Sequence, residues 1–82
     1  MNEKEISKIN EGRRASITLD WVTPLFDDQK KKLVTDLKHL YRTGDATEAK
    51  LLAVAAGLCT IDEIEFRLKT IVRQGESINA RE

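Results

Sequence analysis

Few residues of this chain could carry chemistry, and their spacing limits what that chemistry could be. The sequence holds one cysteine, Cys59, and one histidine, His39. A nucleophilic cysteine needs a nearby base and an electropositive setting. His39 is flanked by Lys38 and belongs to a different candidate helix. Cys59 lies one position off an apolar stripe, so the spacing predicts a half-buried structural thiol, with His39 on the surface. One histidine and one cysteine cannot complete an ordinary four-ligand zinc site. Asp62, Glu63 and Glu65 form an acidic group in which Asp62 and Glu65 share a helical face. Nothing supplies the second pair of ligands that di-metal bundles place on a neighbouring helix, so a solvated acidic face is the favoured reading. No glycine-rich phosphate loop and no nucleophile motif is present. No catalytic, metal-binding or cofactor-binding residue is therefore expected, no cofactor is implied, and an enzyme is the least favoured class.

The basic residues offer a different chemistry. Lys30, Lys31 and Lys32, backed by Lys38 and Arg42, could contact phosphates. Consecutive helical residues point in different directions, however, and Asp27, Asp28 and Asp36 are interspersed among them. A solvated surface is the favoured reading, as it is for Arg13 and Arg14. The fourteen basic residues balance fourteen acidic ones, so total charge favours neither a polyanion nor a polycation. Residues 48–68 also admit a degenerate helix-turn-helix, with Gly57 in the turn and Thr60 and Glu63 as a capping box. The apolar Ile64 is then one position late, and Asp62, Glu63 and Glu65 at the start of the second helix would be repelled by phosphates. A continuous helix is favoured, and nucleic acid is a disfavoured partner.

The elements that must position these residues are helices. Residues 46–74 contain no proline and one glycine. Leu51, Ala55, Leu58, Ile61, Ile64, Leu68, Ile71 and Val72 recur at helical spacing and form one apolar stripe. Such a helix would run roughly 40 Å or more, longer than so small a domain needs, which points to a partner along the stripe. Upstream, Thr23 and Pro24 read as a helix start, a hydroxyl cap followed by proline at the first turn. Phe26, Leu33, Leu37 and Leu40 form that helix's apolar line. Gly44 should end it in a left-handed conformation, and Asp45 with Glu48 should cap the next helix. The short turn predicts an antiparallel helical hairpin. Residues 6–20 read as a short N-terminal helical segment whose Ile6, Ile9 and Ile17, with Trp21, could fold onto the long helix. Trp21 and Phe26 flank the Thr23–Pro24 corner and could anchor a partner or staple the corner. The expected fold is thus all-α and three-helix, a single domain over 1–82 with polar tails at 1–5 and 76–82.

With 82 residues, the chain buries only about 60 to 65% of its unfolded surface. A single cysteine excludes an internal disulfide, which leaves oligomerisation or partner binding as the compensation for a small core. No apolar run approaches the ~20 residues that span a bilayer, and MNEKEISKIN has no secretory hydrophobic segment. The expected location is cytoplasmic.

The succession DWVTPLF, KKKLVTDLKHLYRTGDATEAK and LKTIVRQGE resembles a group of small all-helical proteins encoded in the virion-assembly region of bacteriophage and prophage genomes. The likeness covers roughly residues 15–76 and rests on helix lengths and the corner; the glycine inside the long helix departs from the pattern. It implies an accessory or assembly protein acting through contacts, in the host cytoplasm or associated with the virion. The expected function is accordingly a non-enzymatic protein–protein interaction module, a homo-oligomer or a binder of another protein. The alternatives are a small nucleic-acid-binding regulator and an inhibitor of a host protein.

Overall fold

The computed structural model describes residues 1–81, and among these the regular structure is all-helical. Two helices are present, α1 (Glu3–Thr43, 41 residues) and α2 (Glu48–Ala80, 33 residues). At about 1.5 Å per residue α1 alone accounts for the longest dimension of a body measuring 59 × 21 × 15 Å.

Each helix end has a local cause. The Asn2 side chain accepts a hydrogen bond from the Glu5 amide at 2.9 Å, with Glu3 and Glu5 placed favourably at the positive end of the helix dipole. Gly44 ends α1 at φ 77, as its residue type predicts. The Asp45 amide donates to the Leu40 carbonyl at 3.0 Å and the Gly44 amide to Tyr41 at 3.4 Å, the pairing of a Schellman closure. That closure corrects the expected capping box. Asp45 is spent on finishing α1, and α2 starts later, where the Thr47 hydroxyl accepts from the Lys50 amide at 3.3 Å.

The expected three-helix layout is also corrected, because the N-terminal segment and the second predicted helix are one. Pro24 lies inside α1. It leaves the Asp20 carbonyl without its helical donor, a local cost on the order of 3 kcal/mol. Packing outweighs that cost. Leu19, Thr23, Phe26, Lys30, Leu33, Leu37 and Leu40 keep one alternation of four and three across the proline, all half-buried, with Ile9, Gly12 and Ala15 buried before them, while Pro24 itself is exposed. Glu3 to Glu5 and Glu76 to Ala80, read as tails, lie within the helices.

Contacts between the helices match early residues of α1 with late residues of α2. Arg81 meets Glu5, Gly75 meets Gly12, Glu65 meets Lys30 and Gly57 meets Leu33. The inward series on α2 is Leu51, Val54, Leu58, Ile61, Glu65, Leu68, Val72 and Gly75, again alternating three and four, the repeat that winds packed helices left-handedly. Ile9, Ala15, Val54, Ile61 and Ile78 are buried, but among the described residues no side chain is fully enclosed. Two helices cover only one face of each other.

Candidate interaction surface

The seam takes most of the stripe predicted for self-contact. Ile61 is buried, and Leu51, Leu58, Leu68, Ile71 and Val72 are half-buried against α1. Ala55 and Ile64 are exposed, because the inward face is centred on Val54, Ile61 and Glu65, a fraction of a turn away. Val54, Glu65, Gly75 and Ile78 are inward-facing residues that the apolar pattern missed. The uninterrupted alternation from Leu51 to Gly75 carries them once a charge and a glycine are allowed to count. Of the N-terminal residues expected over α2, Ile9 is buried, while Ile6, Ile17 and Trp21 stay exposed. Phe26 is half-buried, and Trp21 is 76% exposed.

Glu65 is buried at the seam and joins a charge cluster there, whereas the neighbouring Asp62 and Glu63 stay exposed as expected. The Lys30 ammonium lies 2.7 Å from Glu65 Oε1 and 3.3 Å from Asp62 Oδ1, and Lys69 approaches Glu65 Oε2 at 3.8 Å. Oε1 is closely approached but receives no well-directed hydrogen bond. The Glu65 contact, then Asp62, holds the Lys30 pKa above its ordinary 10.5, with burial acting in the opposite direction. Such a pair contributes little net stability, since desolvation offsets attraction, but a register that buried Glu65 without Lys30 would be costly. Lys30 is thereby committed to the seam. Lys31, Lys32, Lys38 and Arg42 remain exposed. Asp62 and Glu65 do share a face, as predicted, yet the ion they hold is an ammonium. Among the described residues no group of three or more His, Cys, Asp or Glu could hold a metal ion, and no helix is long and apolar enough to cross a membrane.

α2 is continuous through Gly57, and the Thr60 hydroxyl donates to the Ala56 carbonyl at 2.8 Å within the helix. The turn that a helix-turn-helix requires is not there. A Cβ at this position would lie 3.2 Å from Leu33 Cδ1, the flexible end of a side chain that α1 lays over the glycine.

Both helices carry apolar side chains on the faces turned away from the seam. On α1 these are Ile17, Trp21 and Leu25, four residues apart and all exposed. On α2 they are Leu52 and Phe66, 61% and 62% exposed, with Ala55 and Ala56 nearby and Cys59 between them. Cys59 is exposed, which corrects its expected half-burial. Comparison with family models, with curated proteins and with solved structures gives no match.

Proposed function

We propose that this chain is a non-enzymatic interaction module that works as a homo-oligomer, its unit an antiparallel helical hairpin. The observation that carries this reading is surface area. The protein exposes 6294 Å², whereas a compact monomer of 9.3 kDa exposes about 5,000 Å². Two copies that each hid the roughly 1,300 Å² difference would bury an area in the range of obligate homodimers. Among the described residues, ten large hydrophobic side chains stand in that exposed surface, more than isolated surface apolars require. A phage-type accessory or assembly role, in a host cytoplasm or on a virion, fits a protein built for contacts and rests on the resemblance alone. The Ile17, Trp21 and Leu25 cluster supports a second reading, in which the module also holds a different protein, such as a host component it inhibits. Light scattering across a range of concentrations and salt tests the main reading. A mass of two or more chains is expected, and a well-folded monomer at every concentration overturns it.

A further inference from the structure

Asp45, Leu52, Cys59, Phe66 and Arg73 recur at intervals of seven along α2 and the turn before it, and all five are exposed. Seven residues are close to two helical turns, so Leu52, Cys59, Phe66 and Arg73 follow one slowly winding line along α2, and Asp45 lies in the loop that leads into it. The line is symmetric about Cys59 in size and antisymmetric in charge. Large apolar residues lie seven positions to either side, and an acid and a base lie fourteen positions to either side.

From this pattern we infer that a second copy of the chain docks on this face, α2 against α2 in opposite directions, with a twofold axis at Cys59. A twofold interface must be self-complementary, so residue i meets residue j and j meets i. Here Leu52 faces Phe66 of the second copy, Cys59 faces its own mate, and Arg73 lies toward the end of the second copy from which the Asp45 loop leads into α2. The acidic Asp62 and Glu63, which interrupt the line, then face Ala56 and Ala55, small side chains that leave the carboxylates room to reach water. A parallel pairing would set Glu63 against Glu63 and Arg73 against Arg73, so charge selects the antiparallel sense. The face lies away from the α1 seam, so no contact within the chain has to open.

This inference rests on the homo-oligomer reading, and the experiment separates the two. The full chain at low micromolar concentration is treated with diamide, which oxidises two thiols to one disulfide and is itself reduced to the hydrazine. Mass is followed in parallel by light scattering. Antiparallel docking brings the two Cys59 Cα atoms within the roughly 7 Å that a disulfide spans, so most of the protein should become a covalent dimer. Moving the cysteine, as Cys59→Ser with Gln74→Cys, sets the sulfurs about 45 Å apart and should abolish the cross-link without changing the mass. Phe66→Glu, at an exposed site, should leave helicity unchanged, return the protein to monomer mass and slow cross-linking at least tenfold. A dimer that Phe66→Glu leaves intact, or that cross-links equally well through residue 74, overturns this face while the homo-oligomer reading stands. A monomer at all concentrations overturns both.

Discussion

Gly75→Ala and Gly57→Ala, the same chemical change in the same helix, should have opposite effects on stability. Each replacement gains up to about 1 kcal/mol of helix propensity. At Gly75 the new Cβ would lie 3.1 Å from the Lys8 carbonyl oxygen, 3.2 Å from Gly12 Cα and 3.4 Å from Ile9 Cα. All three are backbone atoms of α1, so relief requires the helices to separate around buried Ile9 and Ile78. Overpacking of this kind typically costs about 1–3 kcal/mol, and the net change is a loss of about 1 kcal/mol. At Gly57 the nearest atoms are Leu33 Cδ1 at 3.2 Å and Cδ2 at 3.5 Å, the far end of a half-buried side chain that can rotate. There the propensity gain survives, at up to about 1 kcal/mol. For a chain of this size the two variants should differ in Tm by roughly 10 °C. Circular dichroism melts and urea titrations at one fixed protein concentration measure this; the concentration must be held because association shifts the transition. If Gly75→Ala is as stable as Gly57→Ala, the close Gly12–Gly75 approach does not limit the packing, and the reasoning fails.

The raised Lys30 pKa has a definite sign in stability. Its contribution is fully present below the ordinary 10.5 of the unfolded chain and is lost as pH rises through the higher folded value; urea midpoints measured from pH 9 upward should fall less steeply for Lys30→Gln than for the parent. Ile61→Ala should cost about 2–5 kcal/mol, because it empties a buried position in the middle of the seam. Trp21→Ala should change stability by only about 0.5 kcal/mol, since its ring is largely in solvent; equal losses for the two in denaturant titrations would contradict the assigned register.

Which features were legible follows from whether their cause is local. The αL stop at Gly44 needs only its own residue type and the end of a periodic run, and it reads correctly. The continuity of α2 through Gly57 likewise follows from an apolar period that does not change there. Pro24 was misread because a hydroxyl before a proline looks the same at a helix start and inside a helix. What distinguishes the two is whether Leu19, Thr23, Phe26 and Lys30 keep one register across the proline, which they do. The end of α2 was misread for a similar reason. Residues 76–82 look like a polar tail, but the helix runs on to Ala80, and Gly75 packs on Gly12, more than sixty positions away, which no local rule contains. Glu65 was missed because a carboxylate lowers the apolar score at the position where Lys30 on the other helix makes it acceptable.

The apolar stripe of α2 was expected to meet a partner because that helix is longer than so small a domain needs. Once α1 runs through Pro24 it is long enough to cover the stripe as far as Ile78, and a face satisfied within the chain cannot also be the face that binds a second one. Two helices still leave their outer sides bare, and the exposed area exceeds what a compact chain of this mass presents. The contact proposed above falls on residues that a search for the strongest apolar period ranks second. On α2 these are Leu52, Cys59 and Phe66, separated by intervals too long for the three-and-four pattern and flanked by opposite charges. The weaker periodicity is what such a surface requires if the monomer is to stay in solution before pairing as proposed, and the proposed twofold contact would account for the symmetry of that weaker line about Cys59.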